Sequence, residues 1–221
     1  MVPARERRRM SILTKALADT YAEALGTAGV DPSTVASVFG SALGEATTMI
    51  GLLDQMWSEE GALSPMRFVM SVHNAAAGVI SVATQNRGFT TSLGADFDTP
   101  AMALLEGIGL VQSRGDTVIV ACGDEAAPID LVRDGGGWEL FAGAVALAPV
   151  ALAPAKPRLR ISSARIADGT LRADVSEHIA RGPNAGLLDL IDVIARGRVG
   201  TVRLDRGRGQ GFCVDVVQAT A

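Results

Sequence analysis

The sequence predicts an α/β fold: a mixed, mostly parallel sheet with helices on its faces, followed by antiparallel strands toward the carboxy terminus. Three observations carry this prediction. Residues 89–121 read as strand, tight turn, helix, turn and strand, an order that makes a parallel pair with a crossover helix. The second of those strands, Thr-Val-Ile-Val-Ala at 117–121, is a continuous apolar run suited to a sheet covered on both faces. After Pro128 the pattern changes to strand-like runs, and the last two, 201–204 and 212–217, are joined by residues 205–211 as a hairpin.

Each element has a local reason. Residues 5–25 are predicted helical, because Met10, Leu13, Leu17, Tyr21 and Leu25 recur at helical spacing and make one buried face; Gly26 and Gly29 stop the helix. Asp31-Pro32-Ser33 is a turn, and residues 35–39 form a short strand ending at Gly40. A second amphipathic helix over 45–60 carries Met49, Leu52, Leu53 and Met56. Ser64-Pro65 pairs a cap with a proline at the first helical position and starts a short helix toward Val72. Asn74 caps a further helix over 75–84, whose Ala75-Ala76-Ala77-Gly78 face is small enough for close packing, and Arg87-Gly88 ends it.

Residues 89–93 are a strand that Gly94 breaks. Asp98 or Thr99 caps the next helix, with Pro100 at its first position. Met102, Leu104, Leu105, Ile108 and Leu110 surround this helix with apolar groups, as for a helix buried on most sides. Gly115-Asp116 turns the chain into the strand at 117–121. Gly135-Gly136-Gly137 is a turn, residues 138–150 and 158–166 are strands separated by a proline-containing link at 154–157, and 171–175 is a further strand candidate. Residues 184–195 form a helix with Leu187, Leu188, Ile191 and Ile194 on one face.

The chain has 221 residues, enough for one well-buried domain over 1–221, and its composition offers no boundary at which to divide it. Hydrophobic residues make up 48%, which excludes a disordered chain, whereas aromatics at 4% argue against a binding surface built from aromatic anchors. The net charge of −4 gives no general attraction to nucleic acid or to an anionic membrane. The longest apolar runs contain glycine and proline and fall short of a membrane span. No signal-peptide pattern suggests export, so a cytoplasmic protein with two reduced thiols, Cys122 and Cys213, is expected.

Few residues offer chemistry. The stretch Gly207-Arg208-Gly209-Gln210-Gly211 has the look of a phosphate-cradling loop, but a strand follows it where a helix is required, so it reads as a hairpin turn. His73 and His178 have no partner at metal-ligand spacing; His73 reads as a hydrogen-bonded junction residue and His178 as a surface residue. Cys122 ends a buried strand before Asp124 and Glu125, whose charges oppose thiolate formation, so it reads as structural, as does Cys213. Asp96 and Asp98 flank Phe97 in the turn at 94–98. Asp98 is most simply a helix cap, and the sharper alternative makes the pair an acid–base couple. No catalytic residue, cofactor or metal is assigned on this reading.

The segments SVHNAAAGVISVATQNRGFTTSLGADFDTPAMALLEG and DTVIVACGDEA resemble the amino-terminal half of the β-ketoacyl synthases, which have the thiolase fold. Ser64-Pro65, the helix start at 74–78, Arg87-Gly88, the strand and turn over 89–100 and the apolar strand ending at Ala126 match the order of that family. The run at 71–78 and the Gly-Arg-Gly-Gln-Gly ending are similar to a compact branch, the β-ketoacyl synthase-like amino-terminal-domain proteins, encoded among fatty-acid, polyketide and aryl-polyene genes. The resemblance implies a thiolase-like half with carboxy-terminal antiparallel strands. Counting from Gly88, it places the family's acyl-accepting cysteine at Phe97, which cannot form a thioester. It also implies that the family's two catalytic histidines lie in a half this chain lacks. A first strand before the arginine-rich helix is missing on this reading, leaving a sheet edge that needs cover.

The expectation that follows is a non-catalytic, chain-length-factor-like partner of a ketosynthase or an acyl carrier protein, with a degenerate pocket formed by His73, Asn74, Asp96, Phe97 and Asp98. The alternatives are an acyl-thioester hydrolase or decarboxylase using His73 with Asp96 or Asp98, and a structural homodimer. Nucleic acid and membrane are not expected partners.

Overall fold

A computed structural model of the chain describes residues 2–58, 63–126, 137–163 and 169–219. Its helices are α1 (Ala4–Arg7), α2 (Ile12–Ala28), α3 (Ala46–Ser58), α4 (Pro65–Ser71), α5 (Ala75–Ala83), α6 (Thr99–Arg114), α7 (Glu177–Ala180) and α8 (Ala185–Ala195). Its strands are β1 (Ala36–Gly40), β2 (Thr90–Leu93), β3 (Val118–Asp124), β4 (Phe141–Leu147), β5 (Arg158–Ser162), β6 (Gly200–Arg203) and β7 (Cys213–Val217).

Two sheets organise these elements. The first has the order β2-β1-β3-β4, with β1 parallel to both β2 and β3, and β4 antiparallel to β3. The second is the antiparallel set β5-β7-β6. Alternate residues of β1 and β3 point to opposite faces. Phe39, Ile119 and Ala121 meet α2 and α5 through Leu13, Leu17, Tyr21 and Ile80. Val38, Val118 and Val120 meet Leu104 of α6 and Leu187 and Leu190 of α8, and the same core continues into Val202, Leu204, Val214 and Val216 around the second sheet. Helix α8 can lie this close because Gly186 has no side chain: a Cβ there would stand 1.8 Å from the carbonyl oxygen of Leu204.

Several local signals act as read. Ser64 caps α4 by accepting from the Arg67 amide, Pro100 opens α6, and Gly115 closes it in the left-handed conformation. Residues 205–211 join two antiparallel strands, so this loop is the hairpin connection. Other readings are corrected. The predicted helix at 5–25 is two pieces, because the Ser11 hydroxyl accepts from the Thr14 amide and starts α2 afresh; Gly26 lies inside α2, and Gly29 ends it. Helix α5 ends at Ala83, with Gln85 in the left-handed region, before Arg87-Gly88.

Strands β2 and β3 are parallel but not neighbours, since β1 inserts between them. Residues 171–175 form no strand; a single bond from the Leu171 amide to the Thr201 carbonyl brings this segment alongside β6. The strand predicted at 138–150 is regular only as β4. Gly135, Gly136 and Ile166 lie outside the described residues. Helix α6 is buried along one side only, through Ala101, Ala103, Leu104 and Gly107, and Leu105 is exposed. On α3 only Ala46 and Leu52 are buried, and Leu53 and Met56 of its predicted apolar face are exposed. No single helix among the described residues is long and apolar enough to cross a membrane.

Candidate functional site

Strand β2 is an edge strand, and the chain leaves it through the turn at 94–98 into α6. Three residues of the turn, Asp96–Asp98, form a single 3-10 turn, and Asp96 adopts φ 51°, a left-handed conformation that a non-glycine residue rarely takes. The Thr99 hydroxyl holds the turn, accepting from the Ala95 amide at 2.9 Å and donating to the Asp96 carbonyl at 2.7 Å. Asp98 occupies the cap position of α6 but its side chain makes no cap bond. Its carboxylate instead accepts from the Gln210 amide, at 2.9 and 3.0 Å.

The partner of this turn is the glycine-rich hairpin loop. The Arg208 guanidinium lies over the Phe97 ring, 5.2 Å from its centroid, and donates to the Arg181 carbonyl at 2.6 Å. The loop is shaped from within by buried Asp205, which accepts from the amides of Gly207, Gly209 and Gly211 at 2.8, 2.9 and 2.8 Å and from Arg203 Nε at 2.6 Å. Gly207 and Gly211 take φ of 96° and 86°, and a Cβ on Gly209 would stand 2.3 Å from Asp98 Oδ1. Burial pushes the Asp205 carboxyl up, but Arg203 and the amides of Gly207 and Gly211 outweigh it, and its pKa lies below the usual value. Buried Asp189 anchors the loop's other flank by pairing with Arg206.

A second polar network lies behind the turn. The Asp124 carboxylate at the end of β3 accepts from the Ser41 hydroxyl at 2.6 Å, from the amides of Ala42 and Leu43 at 3.2 and 3.1 Å, and from Asn184 Nδ2 at 2.5 Å. Burial raises its pKa, against the opposing effect of the Ser41 hydroxyl, the Leu43 and Ala42 amides and His73. The network ties the loop after β1 to the end of β3 and to the start of α8. Cys122 is fully buried, and burial first, then Asp124, pushes its thiol pKa well up, which suits a structural thiol. Cys213 is buried, and its thiol donates to the Gly211 carbonyl at 3.7 Å.

The five residues read from the sequence therefore divide. Phe97 and Asp98 are brought together with the hairpin loop. His73 is exposed, but its Nε2 meets the Ser41 carbonyl at 2.7 Å, and the ring stands so close to Gly94 that a Cβ there would be 2.9 Å from Nε2. Asn74 is exposed at the start of α5 and makes no side-chain cap bond. Asp96 is exposed, and no hydrogen bond among the described residues joins His73 to Asp96 or Asp98. His178 is exposed as well, with one long contact to the Gly137 carbonyl. Among the described residues, no group of three or more His, Cys, Asp or Glu is placed to hold a metal ion. Sequence reasoning missed Asp205, Arg208 and Gln210 as parts of the site. Their only signal was glycine at every second position from 207 to 211, which marks backbone approaching a neighbour closely.

The model of a family described as "Beta-ketoacyl synthase, N-terminal domain" matches residues 1–196. No curated protein matches the chain. Among solved structures, the chain is similar to the ketosynthase (ApeO) in complex with its chain length factor (ApeC) from Xenorhabdus doucetiae, with 18% identity and a TM-score of 0.73 over 99% of this chain and 82% of that one. It is also similar to the ishigamide ketosynthase/chain length factor, with 14% identity and a TM-score of 0.70 over 97% of this chain and 82% of that one. A β-ketoacyl synthase from Burkholderia phymatum STM815 matches 60% of this chain and 35% of its own length, at 13% identity and a TM-score of 0.50. At these identities the likeness shows a shared thiolase-like, ketosynthase fold.

Proposed function

We propose that this chain, which belongs to the β-ketoacyl synthase, N-terminal domain family, is a chain-length-factor-like protein that does not itself condense acyl groups and that pairs with a condensing enzyme. The observation that carries the reading is an apolar surface beside edge strand β2. Leu53, Met56 and Trp57 of α3, Met66, Phe68 and Val69 of α4, Val82 of α5 and Phe89 before β2 are all exposed, Trp57 by 91%. The elements that bear them pack in sequence, α3 on α4, α4 on α5 and α5 on β2. Exposed apolar residues gathered on adjoining elements mark an interaction surface.

Phe97 supports the same reading. It stands in the turn between β2 and α6, where the resemblance puts the nucleophile, and its ring lies against Arg208. Phenylalanine offers no sulfur for a thioester, so the turn serves to fill or shape a pocket. Two of the solved structures similar to this chain carry names that pair a ketosynthase with a chain length factor. Fatty-acid, polyketide or aryl-polyene assembly in the cytoplasm is the setting proposed, with residues 1–221 acting as one domain and an acyl carrier protein as a further partner. The hydrolase alternative gains no support, because His73 Nε2 is tied to Ser41 and the Asp98 carboxylate faces the Gln210 amide.

Co-expression with the ketosynthase and carrier protein of neighbouring genes tests the proposal. A stable complex with the ketosynthase, lost when Trp57 and Phe68 are both changed to aspartate, is expected. A chain that stays alone, or that forms only its own dimer by native mass, overturns it.

A further inference from the structure

Beside β2 lies a small, partly open space lined by Leu13, Leu17, Phe39, Glu45, His73 and Ser92 among others. Glu45 is 1% exposed, and its Oε1 accepts from the hydroxyls of Thr14 and Ser11 at 2.6 and 2.9 Å. Its other oxygen, Oε2, is buried and has no hydrogen-bond partner among the described residues, and the same holds for Ser92 Oγ. A buried polar atom without a partner is unfavourable by roughly 1–3 kcal/mol, so two of them on the wall of one cavity call for a shared explanation. The cavity gives the centre of a water-sized sphere about 10 Å³ in which to move. That is about what one water needs, and far too little for an acyl group.

We propose that this cavity is a binding site for one water molecule, which bridges Glu45 Oε2 and Ser92 Oγ and so couples the start of α2 to the strand that enters the 94–98 turn. The chemistry of the lining favours water over an ion. Leu13, Leu17, Phe39 and Ala76 supply no ligands, and Ser41 Oγ and His73 Nε2 are already engaged with Asp124, the Gly44 amide and the Ser41 carbonyl, so Glu45 Oε2 and Ser92 Oγ are the side-chain atoms left for a cation, short of any ordinary coordination shell. A water, which both donates and accepts, satisfies both orphaned atoms at once. Through Glu45 the bridge reaches Ser11, the cap of α2, and Thr14 in its first turn, and through Ser92 it reaches a residue two positions before Gly94.

A crystal structure of the full chain at a resolution that shows ordered solvent tests this directly. One water within hydrogen-bond distance of both Glu45 Oε2 and Ser92 Oγ is expected; a dry cavity, or a direct bond between the two side chains, overturns the proposal. A double-mutant cycle gives a second reading in solution. Ser92→Ala should lower the folding equilibrium constant roughly threefold to tenfold in the parent chain, and by less than half that factor in a Glu45→Met background, whose side chain offers the water no comparable hydrogen bond. Equal effects in the two backgrounds would show that no bridge couples the residues.

Discussion

Helices α2 and α3 carry apolar residues at the same helical spacing, and the fold treats them in opposite ways. Helix α2 lies across the first sheet, and Leu13, Leu17, Tyr21 and Leu25 are buried against β1, β3 and α5. Helix α3 rests on α4 and leaves Leu53, Met56 and Trp57 in solvent. Periodicity identifies the face of a helix that seeks burial, but not what covers it. In α2 the cover belongs to the same chain. In α3 the cover proposed above is a partner.

The contrast breaks most plainly by substitution. Leu17→Ala, at a position 2% exposed, should destabilise the chain by about 2–5 kcal/mol in denaturant titration, whereas Trp57→Ser should change stability by no more than about 0.5 kcal/mol. A Trp57 variant as damaging as Leu17→Ala would mean that the monomer itself covers α3. The hairpin loop gives the next largest effect. Gly209→Ala drives a methyl against Asp98 and should destabilise by about 1–3 kcal/mol. Adding Asp98→Ala should recover part of that loss, because the nearest obstructing atoms belong to the Asp98 side chain.

Two carboxylates should sharpen the comparison through pH, with opposite signs. The Asp205 pKa is depressed in the folded chain, so its stabilisation is present above the unfolded value of about 3.9 and is lost as pH falls through the folded value. Asp205→Asn should flatten the acid side of a stability–pH curve. Burial, and then the charge of Glu125, raises the Glu45 pKa against the hydroxyls of Thr14 and Ser11. His73 also lines the space beside it. The contribution of Glu45 is complete below about pH 4.3 and is lost as pH rises through its raised folded value. Glu45→Gln should flatten the curve on that side. The smallest effect belongs to Arg208→Ala, which removes an exposed contact with Phe97 and should lower stability by about 0.5–1 kcal/mol.

Much of the frame was legible because its signals are local. Ser64-Pro65, Pro100 and Gly115 mark helix ends through bonds and dihedral angles set within a few residues, and each does so in the fold. Asp98 shows the limit of such reading. It has the chemistry of a cap and stands at the cap position, yet its carboxylate turns to the Gln210 amide, 112 residues along the chain. The five residues singled out as a pocket were separated for the same reason. Their nearness in sequence made them look like one site, while Arg208, Gln210 and Asp205, which complete the surroundings of Phe97, come from the far end of the chain.

By itself, the amino-acid sequence determined the α/β class, the order of the central strands and helices, the likeness to ketosynthases and the phenylalanine in the turn after β2. All of these depend on periodicity, capping and the identity of single residues. Tertiary structure alone decided that β1 lies between β2 and β3, that the glycine-rich hairpin closes over Phe97, and that the apolar residues of α3 and α4 stay uncovered. Those outcomes depend on which distant segments come within contact distance, and burial is a property of the assembled surfaces, not of any one segment.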